Sequence, residues 1–322
     1  MIKPLVRRLL APDVRMRVWE ARQRWNHWSK HDLPRWWEAC LPDVYVQRSQ
    51  FRRVFGRSLN LASPVTFNEK LHWLSRHYHD PMMTQLADKY SVRAFVEKQA
   101  GPEYLNELYG VWDDPSAIPF DRLPDAFALK VTSGSGQNVL CRDRSTLDRE
   151  ATIRQLLKWM KRSEYWVSRE WAYKHIRARV IAESLLLDER GDVPQDYKFF
   201  CFDGVPRFIQ VDTGRFTDHR RDLFDLNWRK LPVTYTYPCS DAPILRPQML
   251  DKMLDLASTL SQGFPFVRVD LYNIGDSIKF GEMTWYPGGG LERFSPHEYD
   301  FVFGEAIKLP QRRQRLGLGM FG

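Results

Sequence analysis

Apolar side chains recur at two spacings along this chain, and each spacing sets the element expected. Phe67, Leu71, Leu74 and Tyr78 return every three or four residues, which places them on one face of a helix. Thr66 precedes them and Glu69 follows it by three, the capping-box spacing, so a helix is predicted to start near Thr66 and stop before Pro81. Met82 to Gly101 reads as a second helical segment, ended by Gly101-Pro102. Another helix is predicted within residues 145–162, with Ser145 as its cap and Leu156, Leu157 and Met160 as its buried part. Near the start, Val14, Val18, Ala21, Trp25 and Trp28 share a helical face that Arg15, Arg17, Arg22 and Arg24 avoid.

The other spacing is two. Phe127, Leu129 and Val131 alternate with Ala128, Lys130 and Thr132, a half-buried strand, and Val139 to Cys141 reads as its returning partner. Strands also follow in "RVIAESLL", in "DYKFFCFDGVPRFIQV" with a hairpin turn at Asp203-Gly204, and in "FPFVRVDLYNIGDSIKFGEMTWY". The prolines of "DDPSAIPFDRLPDAF" suit a connector into the Lys130 strand. Helices and strands are mixed without regular βαβ alternation, which points to an α+β fold with antiparallel sheets. No internal repeat is present.

Composition narrows the class. A chain of 322 residues, 43% hydrophobic and 14% aromatic, can bury the core of one large globular domain or of two to three small ones. "MIKPLVRRLLAPDVRMRV" breaks its apolar runs with arginine, and no apolar stretch reaches bilayer length, so neither a secretory signal nor a membrane span is expected and a cytoplasmic location is. Cys40, Cys141, Cys201 and Cys239 are too scattered for a zinc knuckle or a disulfide framework. The net charge is +8, and residues 1–60 hold 13 Lys and Arg against 5 Asp and Glu, leaving 35 of each elsewhere. The excess is thus N-terminal, on a tryptophan-bearing amphipathic segment. A solvated helix packed on its own domain and a surface for membrane or anionic glycan both fit it, and nucleic acid ranks below these because no nucleic-acid motif accompanies the charge.

Two places carry candidate chemistry. Lys130 ends its strand just before a loop, Ser133, Gly134, Ser135, Gly136, Gln137 and Asn138. A Walker loop would need its lysine after the glycines, and a dinucleotide fingerprint a third glycine opening a helix, so both are rejected. The loop caps a hairpin, and read alone it is either a plain turn or a phosphate cradle. In the last hairpin, a turn centred on Gly275-Asp276-Ser277 would set Asp270 opposite Glu282 and Arg268 opposite Thr284, all on one face. Facing carboxylates repel unless a cation offsets them. Arg268 could supply it, or a divalent metal with hard oxygen ligands; the bland alternative is two solvated carboxylates. "YPGGG" from Tyr286 to Gly290 is either a place of close backbone approach or a mobile loop. His72, His77 and His79 read as a solvated helix end, and His297 and Glu298 carry no assigned role.

Lys130 before its glycine loop, "VIAE" ending at Glu183, "DYKFFCFDG", and the hairpin of Asp270 and "GEMT" together resemble the ATP-grasp superfamily. "FNEKLHWL", "DKYSVRAFV", "DYKFFCFDG" and "RVDLY" narrow this to the TupA-like ATP-grasp family, named for teichuronopeptide synthesis and associated with polysaccharide gene clusters. The likeness runs from about Thr66 to about Tyr299. It implies two α+β subdomains clasping ATP between antiparallel sheets: a basic, Trp-rich helical segment (1–63), a helical part (64–125), a lid with the glycine loop (126–185), a base with the metal site (186–310) and a basic tail (311–322). Lys130 and Ser133 to Asn138 would meet the ATP phosphates, and Glu183 with the backbone of Ser184 and Leu185 would line the adenine pocket. Lys198, oriented by Asp196, would face the phosphate or acyl group, and Arg215 and Arg268 would stabilise the acyl phosphate and offset the carboxylates. Asp270 and Glu282 would hold Mg²⁺, with Thr284 where the superfamily carries an asparagine ligand. The implied activity is ATP-dependent amide formation between an amine, such as an amino acid, and a carboxylate of a cell-surface polysaccharide or its precursor, with peripheral membrane contact through the N-terminal segment. A glycosyltransferase of the same pathways and a non-catalytic glycan-binding or assembly protein are the alternatives.

Overall fold

The computed structural model of the chain describes residues 41–214 and 218–311. The amphipathic segment predicted over residues 14–28, Cys40, Arg215 and the basic tail from residue 312 lie outside the described residues.

Helix α1 (Asp43–Phe55) leads to α2 (Phe67–His77), which starts as predicted: the Thr66 hydroxyl accepts from the Glu69 N–H while the Glu69 carboxylate accepts from the Thr66 N–H. The predicted second helix is two. Helix α3 (Pro81–Ala87) stops at Asp88, whose carboxylate takes the N–H groups of Tyr90 and Ser91 at 2.9 and 2.7 Å, and α4 (Val92–Gln99) starts after it. An aspartate that bonds its own backbone two and three residues on competes with helix continuation. The cap of α5 (Arg149–Met160) is Asp148 instead of Ser145, which sits in a turn capped by Asp143. Leu156 of α5 is buried, whereas Leu157 points outward, and a short helix α6 (Glu164–Ser168) follows.

A four-stranded antiparallel sheet has the order β1 (Leu108–Trp112), β4 (Val180–Ser184), β2 (Phe127–Val131), β3 (Asn138–Cys141). Phe127, Leu129 and Val131 of β2 pack with Leu156 of α5 in a core of their own, and Ala128 on the opposite face is buried as well.

A five-stranded antiparallel sheet holds the larger core, in the order β10 (Ser277–Thr284), β9 (Phe266–Ile274), β5 (Asp196–Phe202), β6 (Val205–Thr213), β7 (Arg220–Phe224), with the short β8 (Thr234–Tyr235) outside it. β5 and β6 are joined by the predicted two-residue turn, with Asp203 at φ 51° and Gly204 at φ 77°, as that hairpin requires. One face, with Phe199, Cys201, Val267 and Val269, packs under α7 (Leu250–Ser261), and the Cys201 thiol reaches the Ala257 carbonyl. The other face divides. At one end Phe200 and Phe202 pack with Phe67 of α2 and Phe303 of α8 (Glu298–Ala306). At the other end it is lined with charge. Among the described residues no helix is long and apolar enough to cross a membrane.

Candidate active site

Alternation along neighbouring strands brings the charged side chains together. Asp196 and Lys198 of β5 lie on the face of Phe200; Lys198 is the ladder partner of Asp270, Asp270 of Glu282, and Arg268 of Thr284. The facing pairs are those expected, by a different route. The turn has two residues, since Ile274 pairs with Ser277, and up to Phe280 opposite Leu271 the register is offset by one from the expected register. Continued unbroken, that register would set Glu282 opposite Val269, on the apolar side under α7. A bulge at Gly281 restores Glu282 to Asp270. A Cβ at Gly281 would stand 3.0 Å from the Asp270 carbonyl oxygen, so any larger residue would crowd the bulge.

The charges are closely paired. Lys198 Nζ donates to the carboxylates of Asp196 and Asp270. Arg268 donates from Nε and Nη2 to the two oxygens of Asp270, both at 2.7 Å, and from Nη2 to Thr284 Oγ1 at 3.1 Å. The Thr284 hydroxyl donates to Glu282 Oε1 at 3.0 Å. Asp196, Lys198 and Asp270 are buried, and Glu282 keeps 31% of its side chain exposed. Burial raises the Glu282 carboxyl, but Lys89, Lys198 and Arg268 outweigh it and hold it at about 2. It is an anion at any ordinary pH.

Lys89 was not singled out by the sequence reading, and it joins the glycine loop to this face. Its ammonium donates to the Gly134 carbonyl at 2.5 Å and lies 3.7 Å from Glu282 Oε2. The loop is anchored at Gln137, whose amide donates to Glu164 Oε1 at 3.4 Å, and Gly136 takes φ 67°. Ser133 and Gln137 are buried, and Asn138 already pairs with Lys130 in the ladder. Of the loop, Gly134 is thus linked to Glu282 through Lys89.

Lys130 belongs to a second cluster. Glu183 of β4 accepts from Lys130 at 2.8 Å with one oxygen and from Arg93 at 2.7 Å with the other. Its carboxylate is thus engaged by two cations, and the N–H of Ser184 is taken by the Glu107 carbonyl at 2.9 Å. Both Lys89 and Arg93 come from "DKYSVRAFV", where a single continuous helix was expected, so the break at Asp88 is what aims them. The Asp88 carboxylate also accepts from Arg179 at 3.2 Å, just before β4.

The glycine run is a packed turn and not a mobile loop. Gly288, Gly289 and Gly290 have φ of 56, 67 and 68°. A Cβ at Gly289 would come 3.1 Å from Ser168 Cβ, and one at Gly290 3.2 Å from the His72 ring. The close approach is between protein segments. His72 is buried there, which lowers its pKa to about 4, so it is no solvated helix end. Glu170, which accepts from the Ser168 hydroxyl at 2.5 Å, is raised by burial, with Glu164 and Glu282 adding to it, to about 8.

The donor set suits a hard divalent cation in kind: carboxylate oxygens of Asp270 and Glu282 and the Thr284 hydroxyl share one face. Glu282 Oε2 is the best placed, with Lys89 3.7 Å away, while both Asp270 oxygens already accept from Arg268 or Lys198. Among the described residues no group of three or more His, Cys, Asp or Glu is arranged to hold a metal ion.

A family model described as TupA-like ATPgrasp matches residues 69–308. A comparison with curated proteins finds no match. Among solved structures, the chain is similar to D-alanine–D-alanine ligase from Bacillus anthracis, at 14% identity over 63% of this chain and 58% of that one, with a TM-score of 0.39. It is also similar to purK, N5-carboxyaminoimidazole ribonucleotide synthetase, in its ADP complex (13% identity, 67% and 50%, TM-score 0.40). A third is D-cycloserine synthetase DcsG (16% identity, 70% and 71%, TM-score 0.39). The chain spans 58% and 50% of the first two.

Proposed function

Because the chain belongs to the TupA-like ATP-grasp family, we propose that it is an ATP-dependent carboxylate–amine ligase that forms an amide through an acyl phosphate. The observation that carries this reading is the position of Lys89, which links the Gly134 carbonyl of the loop to Glu282 of the charged sheet face. Phosphoryl transfer asks little covalent chemistry of a protein; it asks for fixed cations and the exclusion of water. Both clusters answer that demand. Glu183 holds Lys130 and Arg93 apart as two fixed donors for phosphate oxygens, and the loop from Ser133 to Asn138 covers them. The division into a lid (126–185) and a base (186–310) belongs to this proposal, as does an adenine pocket beside Ser184 and Leu185.

A substrate carboxylate attacks the γ-phosphorus, ADP departs, and an amine then displaces phosphate from the acyl carbon. Lys198, held by Asp196 and Asp270, and Arg268, held by Asp270 and Thr284, offset the charge that grows on the transferring oxygens. Because their partners fix them before the reaction, little reorganisation is needed when that charge appears. Magnesium, held by Glu282 with Asp270, would supply further charge neutralisation at the phosphates. Thr284 keeps Glu282 in place through the bond to Oε1, a positioning role in place of the ligand role expected.

The carboxylate we assign to a uronic acid of a cell-surface polysaccharide or its precursor, and the amine to an amino acid. The family supports this, as does the concentration of the net charge of +8 in residues 1–60, which suits an anionic glycan or the inner membrane face. The test is ADP release from ATP with amino acids and uronic-acid oligosaccharides supplied together and singly, with mass spectrometry of the product. ADP that depends on both, with a new amide mass, is expected. UDP release from a nucleotide sugar, or no binding of Mg·ATP, would replace the ligase reading.

A further inference from the structure

The charged face does not end at Lys198. On the next strand Gln210 lies opposite Lys198 and Asp212 opposite Asp196, and on β7 Arg221 lies opposite Asp212. Asp212 is buried and tightly held: Arg221 donates to its two oxygens at 2.6 and 3.3 Å, and the Gln210 amide to Oδ2 at 3.0 Å. Arg221 is fixed in turn by Glu292 at 2.7 Å and by the Tyr237 ring 4.7 Å away. Against this rigid group stands His219, with Nε2 3.3 Å from Asp212 Oδ1 and its ring stacked on Tyr237 at 3.8 Å. Its side chain stays 14% exposed, while those of Asp212 and Arg221 are at 2% and 8%.

Resting on the ligase reading, we propose that His219 is the catalytic base that takes the proton an incoming ammonium must lose before its nitrogen can attack the acyl phosphate. A carboxylate only accepts, so the approach of Nε2 to Asp212 favours the tautomer with its proton on that nitrogen, which leaves the lone pair on Nδ1. The place fits. Lys89, Gly134 and Glu282 lie at the β10 side of the face and His219 at the β7 side, so the second substrate enters opposite the nucleotide. Asp212 faces Asp196 on the neighbouring strand, about 4.8 Å away, and Asp196 holds the Lys198 ammonium, so His219 reaches this row of carboxylates from the β7 side and lies on the order of 10 Å from Lys198. That span takes an amine nitrogen within ~3 Å of the base and an acyl carbon ~3 Å further on. The other described histidines do not combine these features: His72 is buried against Gly290, His79 turns a ring nitrogen to the Ser75 carbonyl, His297 is exposed beside Glu298, and His77 and His175 are exposed.

In the step, R–NH₃⁺ gives one proton to Nδ1 of His219, and the freed pair forms the C–N bond as the carbonyl π pair moves to oxygen. On collapse the carbon–oxygen bond to phosphate breaks. Phosphate leaves with that pair and takes the second nitrogen proton. Nothing is oxidised or reduced.

Hydroxylamine, already unprotonated at neutral pH, provides the test, since it needs no base to react with an acyl phosphate. Wild type and His219→Gln are supplied with Mg·ATP, a glucuronic acid oligosaccharide and either a mixture of the protein amino acids or hydroxylamine. For His219→Gln, amide formation should fall about 100-fold or more, the usual worth of a positioned base, while hydroxamate formation stays within threefold of wild type. Hydroxamate also reports that the variant is folded. Equal loss of both products, or unchanged amide formation, overturns the assignment of His219. No hydroxamate from wild type overturns the ligase reading itself, and this proposal with it.

Discussion

Replacing Lys89 by methionine removes one ammonium and keeps most of the apolar stem, so it isolates the link between the glycine loop and the charged face. Two interactions go. The bond to the Gly134 carbonyl is charge-assisted, a class worth about 1.5–3 kcal/mol net. The attraction to Glu282 across 3.7 Å is about 4 kcal/mol gross at an effective dielectric of 20. Most of that gross figure is lost again to desolvation, since Glu282 remains partly hydrated, leaving ~1 kcal/mol. Taking the low end of the first contribution because the loop can relax, the sum is about 2.5 kcal/mol, divided between stability and nucleotide binding according to what replaces the contact. Affinity for Mg·ATP measured by titration calorimetry should weaken by up to ~70-fold, the equivalent of about 2.5 kcal/mol. Urea unfolding should show a single transition with a midpoint only modestly lowered. A variant with affinity and midpoint both unchanged would show that Lys89 does not couple the loop to Glu282, and the proposed nucleotide position would lose its main support.

Glu183→Gln should leave the fold intact but release Lys130 and Arg93 from their fixed spacing, weakening ATP binding about 10-fold; calorimetry with undiminished affinity would speak against a phosphate role for that cluster. Gly281→Ala forces a Cβ to 3.0 Å from a backbone oxygen, so we expect a loss of roughly 1–3 kcal/mol in urea unfolding together with a fall in turnover, because the bulge sets the direction of Glu282. The pH dependence of stability has a definite sign at Glu282. Its pKa is about 2 in the fold against an ordinary value of 4.5, so its contribution is fully present above about pH 4.5 and is lost as pH falls toward 2. Partial exposure limits the effect to ~1–2 kcal/mol. The stability gap between wild type and Glu282→Gln should therefore narrow from pH 6 to pH 3, and a constant gap would contradict the electrostatic origin.

Local chemistry was legible where it is decided locally. The capping box at Thr66 and Glu69, the hairpin turn at Asp203-Gly204, the Lys130 strand and the facing of Asp270 with Glu282 all follow from spacings within a few residues. The last of these came out of an expected three-residue turn; the molecule reaches the same pairing with a shorter turn and the bulge at Gly281, and period-two alternation alone cannot distinguish the two routes. Lys89 and Arg93 were hidden because their segment reads as continuous helix; Asp88, an aspartate able to bond its own backbone, was the available sign of a break. Glu183 was expected at an adenine pocket, and its commitment to Lys130 and Arg93 depends on contacts 53 and 90 residues apart. Asp212 and Gln210 alternate with Ile209 and Val211 just as Lys198 alternates with its neighbours, so that face could have been extended by the same reasoning. Arg221, Glu292 and His219 could not, since their meeting depends on how β7 and the chain after the glycine run return to the sheet.

The proposed reaction centre is tested most directly by Glu282→Ala. With ATP, magnesium, amino acids and uronic-acid oligosaccharides, turnover should be abolished while circular dichroism and the urea transition stay those of a folded protein. A folded variant as active as wild type would show that the facing carboxylates serve the sheet and not the chemistry.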